Sequence, residues 1–213
     1  MNWRHDALRW LAFGRTGTGK TTLLLDELKR RPVPFLFFFD SPDRQFSERS
    51  KIRAVTTRQG VAKAAAAGRC VYSPEVMFPG DSEAGFVWFA EFVWQFCQKV
   101  NGVKIFGADE IQSLCPPAEA LPKPLRCIAQ MGRRHEIDTF FCTLALNECH
   151  NKLRGMSSHL FAFQTTDSLQ LKAARGYFPT ENLPGLRPGH YFRYDANKGE
   201  RGAGCVSWAK GKA

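Results

Sequence analysis

The run Leu8-Arg-Trp-Leu-Ala-Phe13-Gly14-Arg15-Thr16-Gly17-Thr18-Gly19-Lys20-Thr21-Thr22-Leu-Leu-Leu-Asp-Glu-Leu-Lys29 decides how the chain folds. Leu8–Phe13 reads as a strand, and Thr22–Lys29 reads as a helix. Between them lies Gly14-x-x-x-x-Gly19-Lys20-Thr21, the spacing of a phosphate-binding P-loop. Strand, glycine turn and helix in that order separate such a loop from a glycine-rich turn that binds nothing. Gly14, Gly17 and Gly19 let the backbone approach phosphate and take positive φ where the turn demands it. The amides of residues 14–22 then converge on the helix N-terminus, where the dipole favours an anion. On this reading Lys20 reaches the β- and γ-phosphates of ATP, and the Thr21 hydroxyl sits on Mg²⁺.

A second motif complements the first. Val103-Lys-Ile-Phe-Gly-Ala-Asp109-Glu110 is an apolar strand ending in two carboxylates, about ninety residues after the P-loop. At the strand end Asp109 is placed to hold Mg²⁺, with Thr21 as the other metal-binding residue. Glu110 is placed to polarise an attacking water as general base. That second acid is common in ATPase motors and often missing from nucleotide switches and small-molecule kinases.

The surrounding chain supports a layered α/β domain. At 213 residues, 44% hydrophobic and 23% charged, it suggests one domain with an ordinary core. Strands are expected at Pro34–Asp40, Arg69–Tyr72, Val103–Ala108, Asp138–Leu146 and His159–Gln164. Helices are expected at Thr57–Gly68, Asp81–Val100, Pro124–His135, Asn147–Gly155 and Ser168–Gly176. Such alternation points to a parallel sheet. His190–Asp195 and Ala203–Trp208 read as a closing β-hairpin across Asn197–Gly202. Residues 8–195 form the expected core, 41–57 a basic loop or small insertion with Arg44, Arg49, Lys51 and Arg53, and 210–213 a mobile tail.

Charge and cysteines narrow the setting. A net charge of +10 suits a polyanionic partner, most simply DNA or RNA. The seven cysteines are odd in number and form no C-x-x-C, and no signal peptide is read at the start, so reduced thiols in a cytosolic protein are expected. Cys142, Cys149 and His150 do not have zinc-ligand spacing, and burial is the expectation for them. No run reaches the length of a transmembrane helix. Phe86–Cys97 comes nearest; it reads as a core helix covered on more than one face, with docking to another subunit or a membrane protein as the sharper alternative.

The block Cys127-Ile-Ala-Gln-Met-Gly-Arg133-Arg134-His135-Glu-Ile-Asp-Thr-Phe-Phe-Cys-Thr-Leu-Ala-Leu-Asn147-Glu places a helix ending in Gly-Arg-Arg-His directly before a strand. With the two motifs above it resembles the FtsK–HerA superfamily of DNA-pumping ATPases. Leu153–Gln164 with Asp167, and Pro188–Asp195, resemble that superfamily's fifth strand, the helix after it and its closing segment. Within the superfamily the chain is most similar to the genome-packaging ATPases of tailless, often membrane-containing viruses. The resemblance implies an α/β, RecA/FtsK-like P-loop NTPase fold: a mostly parallel sheet flanked by helices, with the C-terminal hairpin. It implies a trans-acting arginine finger at Arg133, with Arg134 as rival, and a polar sensor at Asn147, where the superfamily usually has Gln. Catalytic roles thus fall to Glu110, Arg133, Arg134 and Asn147. It further implies a ring, usually a hexamer, contact with the DNA backbone rather than with base sequence, docking at a capsid vertex or on a membrane protein, and a location in the virion and host cytoplasm. Without the resemblance, Arg133 and Arg134 read equally well as a basic helix end complementing the dipole.

Three other functions compete with genome packaging. A zonula occludens toxin-like phage assembly ATPase would normally carry a transmembrane helix. A small-molecule kinase would need an arginine-rich lid, and it fits Asp109–Glu110 and the charge poorly. A structural virion protein would bind nucleotide without turnover.

Overall fold

The computed structural model describes residues 7–41 and 45–209; Arg44 and the expected tail 210–213 lie outside them. From the N-terminus the elements are β1 (Arg9–Phe13), α1 (Lys20–Arg30), β2 (Phe35–Phe39), α2 (Gln45–Ser50), α3 (Arg58–Ala66) and β3 (Arg69–Tyr72). Next come α4 (Ser82–Cys97), β4 (Lys104–Ala108), α5 (Ile111–Leu114), α6 (Lys123–Met131) and β5 (Ile137–Thr143). The chain closes with α7 (Asn151–Met156), β6 (His159–Ala162), α8 (Ser168–Ala174), β7 (His190–Asp195) and β8 (Glu200–Cys205).

Among the described residues, eight strands join one sheet in the order β3-β2-β4-β5-β1-β6-β7-β8. Pairings are parallel from β3 to β6, and β7 and β8 add antiparallel at one edge. This is a P-loop NTPase fold, with the mostly parallel sheet and closing hairpin expected from the sequence. Both sheet faces are covered. In β2, Phe37 and Phe39 enter one core while Leu36 and Phe38 enter the other, which is the period of two turned into two buried layers.

Helix α4 carries Phe86, Phe89, Ala90, Val93 and Cys97 as its buried stripe, and Trp88, Phe92, Trp94 and Phe96 pack half-buried beside them. It lies on the sheet and against α6, so it is a core helix covered from two sides. Among the described residues no helix is long and apolar enough to cross a membrane.

Several expected boundaries move. The strand expected to reach Leu146 stops at Thr143, whose hydroxyl accepts from the Ala145 amide at 3.2 Å and donates to the Ala145 carbonyl at 3.0 Å. That local bond turns the chain while the apolar run Leu144–Leu146 continues. The helix expected through His135 gives way to a 3₁₀ turn over Gly132–His135. The segment expected as a loop or insertion contains α2, and Val55 then bridges to Tyr72 beside β3. The hairpin loop is shorter than expected, because β8 begins at Glu200. Packing runs past Asp195: the Ser207 amide donates to Asp26 of α1 (2.6 Å).

Candidate active site

The parallel strands β1, β4 and β5 end at the same edge of the sheet, and the sequence motifs meet there. Thr16, Gly17, Gly19, Lys20, Thr21, Asp109 and Glu110 line one cavity with Ser41, Gln45, Arg49 and Leu144. Gly14, Gly17 and Gly19 have φ of 136°, 78° and 112°, so the loop is built on conformations that L-residues avoid. At Gly14 a Cβ would also meet Phe163 Cβ at 2.8 Å. Two segments hold the loop from behind: the Arg15 amide donates to the Gln164 carbonyl (3.0 Å) just past β6, and the Gly189 amide, just before β7, donates to the Thr18 carbonyl (2.9 Å).

Polar contacts fix the side chains. Lys20 is buried and its ammonium donates to the carbonyls of Gly14 (2.9 Å) and Arg15 (3.1 Å). The Thr18 hydroxyl donates to the Arg15 carbonyl at 2.7 Å. The Thr21 hydroxyl donates to Asp109 Oδ2 at 2.9 Å, so P-loop helix and β4 meet through one hydroxyl–carboxylate pair. A hydroxyl and a carboxylate side by side at a phosphate site are hard oxygen donors of the kind Mg²⁺ takes, so the residues present fit that ion. Behind Asp109 the Cys142 thiol is fully buried, and its pKa is pushed well above the usual range, first by burial and then by the Asp109 charge. Glu110 caps α5 in the left-handed region, φ 51° and ψ 45°, a conformation a non-glycine side chain adopts at a cost. Gln112 in α5 accepts from the Leu144 amide at 3.4 Å and joins the end of β5 to the same edge.

The remaining expected site residues lie elsewhere. Asn147 is four residues past the end of β5 and outside the cavity lining, and its buried Oδ1 has no hydrogen-bond partner. The polar residue at the strand end is Thr143. Arg133 and Arg134 are exposed on the 3₁₀ turn that precedes β5. The seven residues of β5 separate that turn from the cavity by about 20 Å. Neither arginine reaches the phosphate loop of its own chain. Cys142 and Cys149 are buried, and both His150 nitrogens are engaged, Nδ1 accepting from the Lys152 amide (3.1 Å) and Nε2 facing the Glu119 carbonyl (3.1 Å).

Sequence reading missed Ser41, Gln45 and Arg49 as cavity residues. Their signal was Asp40 at the end of β2, a ready N-cap residue, followed by the apolar anchor Phe46.

These features define the chain as a P-loop NTPase by fold. No protein-family model and no curated protein matches it. Solved structures do. The genome packaging NTPase B204 of Sulfolobus turreted icosahedral virus 2, in complex with ATPγS, has a TM-score of 0.76 at 14% identity, covering 95% of this chain and 100% of that one. VirB4 of Thermoanaerobacter pseudethanolicus has a TM-score of 0.68 at 10% identity, covering 96% of this chain and 92% of that one. The N-terminal domain of zonular occludens toxin from Neisseria meningitidis scores 0.51 at 13% identity, covering 95% and 96%. At such identities the likeness is one of fold, and it agrees with the FtsK–HerA resemblance read from the motifs.

Proposed function

We propose that the chain is an ATPase that drives DNA into a viral capsid, working as a homo-oligomeric ring, with a hexamer favoured, in the virion and the host cytoplasm. The observation that carries this reading is the placement of two chemistries at opposite edges of one sheet. The phosphate cavity with Asp109 and Glu110 lies at one edge, and the Arg133–Arg134 turn at the other. Stacked around a ring, the turn of one subunit would face the cavity of the next, and each site would be completed by its neighbour. End-to-end likeness to a viral packaging NTPase supports the reading, and so does the charge of +10, which suits a phosphate backbone read without regard to base sequence. The zonular occludens toxin domain fits less well, at a TM-score of 0.51 against 0.76.

The chemistry follows from the cavity. ATP phosphates enter the loop amides, and Lys20 exchanges its Gly14 and Arg15 carbonyl partners for phosphate oxygens. Thr21 and Asp109 would hold Mg²⁺, which when bound neutralises charge on the β- and γ-phosphates. Glu110 accepts a proton from the water whose oxygen attacks the γ-phosphorus, while the bond to the β-phosphate oxygen breaks and ADP leaves with that electron pair. Arg133 or Arg134 of the adjacent subunit meets the charge that develops on the γ-phosphoryl group. Asn147, in the turn beyond β5, would report on the γ-phosphate only through movement of that turn.

Steady-state hydrolysis measured against protein concentration, with and without long double-stranded DNA, tests the reading. The rate per subunit should rise with concentration and rise again with DNA. A rate that ignores both would refute an assembled translocase and favour a nucleotide-binding assembly or structural protein.

A further inference from the structure

We infer that Arg49 is a γ-phosphate contact supplied in cis, so that this chain meets the terminal phosphate with an arginine of its own as well as with one from a neighbour. The inference rests on the ATPase reading above and deepens it. By sequence Arg49 belongs to a basic loop or small insertion, with the solvated face that charge runs usually have. The fold places it otherwise. Asp40, buried at the end of β2, accepts the Phe46 amide at 3.0 Å and the Ser47 amide at 2.9 Å through its two oxygens, and so fixes the start of α2. Phe46 is fully buried and stacks on Phe38 at 3.7 Å and 14°, which sets how the helix is turned. Gln45 and Arg49 are four residues apart and share a face of α2. Both residues line the cavity together with Thr16, Gly17, Lys20, Thr21, Asp109 and Glu110.

The company Arg49 keeps identifies the ligand group: it lines the same cavity as the phosphate loop and as Asp109 and Glu110, where the terminal phosphate would be attacked. A guanidinium there meets phosphate oxygens in a forked, charge-assisted geometry that a lysine cannot copy. Its effect should separate ATP from ADP, because only ATP places a phosphate at that end. A DNA-facing role gives no such difference.

The experiment measures Kd for fluorescent ATP and ADP analogues on the full chain, together with hydrolysis, for wild type, Arg49→Ala and Arg49→Lys. For Arg49→Ala the ATP analogue should weaken about tenfold while the ADP analogue changes less than about twofold, and hydrolysis should fall about 100-fold or more. Arg49→Lys should recover part of the ATP affinity and little of the hydrolysis. A wild-type ratio of ATP to ADP affinity in Arg49→Ala overturns the inference, as does an equal loss of both. If wild type binds neither nucleotide, the ATPase reading itself has failed, which is a different result. Arg49 is exposed, and matching thermal melts verify that the variants fold.

Discussion

At the scale of single residues, chemistry and strain coincide at this sheet edge. Glu110, the proposed general base, keeps a left-handed backbone. Glu110→Gln retains the shape and removes the basicity. It should lower hydrolysis by about 100-fold or more while ATP affinity stays within about threefold. An unchanged rate in a single-turnover assay would remove Glu110 from the base role. The P-loop glycines differ from one another in a way that spacing alone hides. Gly14→Ala adds a methyl 2.8 Å from Phe163 Cβ on top of an unfavourable φ, whereas the position of a Cβ at Gly17 is open. Urea midpoints should fall further for Gly14→Ala, by on the order of 2–3 kcal/mol, than for Gly17→Ala, by about 1 kcal/mol. Equal losses would mean that the end of β6 does not brace the loop.

At the scale of elements, the turn that carries Arg133 and Arg134 is held by a buried cation. Lys104, 1% exposed at the start of β4, donates to the carbonyls of Val100 (2.7 Å) and His135 (2.9 Å). Glu136, itself at φ 55°, accepts the Gly102 amide at 2.9 Å, and His135 packs edge-on against Trp94. Lys104→Met leaves two part-buried carbonyls without their donor and should cost about 2 kcal/mol in denaturant unfolding. If the turn acts on a neighbouring site, the same variant should slow assembled hydrolysis while nucleotide affinity holds. Much of this layer was legible in the sequence: β3 runs over Arg69–Tyr72 as read, and the P-loop and the Asp109–Glu110 strand meet as their motifs require. The departures share one cause, since a run of apolar residues says that a segment is buried and not where it turns. Leu144–Leu146 extends the apolar run of β5, but the Thr143 hydroxyl bonds locally and ends the strand, which leaves Asn147 beyond it. Conversely, the polarity of residues 41–57 concealed α2, whose helical start depends on the Asp40 carboxylate lying next to it in space.

At the scale of the molecule, buried ionisable groups set the pH range of stability. Burial holds the pKa of His159 below the ordinary 6.5, with Asp195 opposing; burial also lowers that of His135, helped by Lys104 and Arg134. The folded chain keeps both rings neutral where the unfolded chain would bind protons, so stability is full above about 6.5 and declines as pH falls below it. Burial pushes the thiols of Cys70, Cys97 and Cys149 up to about 12 from 9.0, so their contribution is full below 9.0 and is lost as pH rises above it. Urea midpoints should therefore be flat between about 6.5 and 9 and lower at 5.5, and His159→Gln should shrink the acid loss. A midpoint that rises toward pH 5.5 would contradict this.

The two-edged layout also makes a claim about assembly. A subunit lacking Lys20 keeps its arginine turn, and a subunit lacking Arg133 and Arg134 keeps its cavity. The most direct test mixes Lys20→Ala chains with Arg133→Ala/Arg134→Ala chains and follows ATP hydrolysis. Each alone should be nearly inactive, and mixing should restore a substantial part of the wild-type rate, because some sites then pair an intact cavity with an intact neighbouring turn. A double-arginine variant that hydrolyses ATP at the wild-type rate, or a mixture that stays as inactive as its parts, would contradict a site completed in trans.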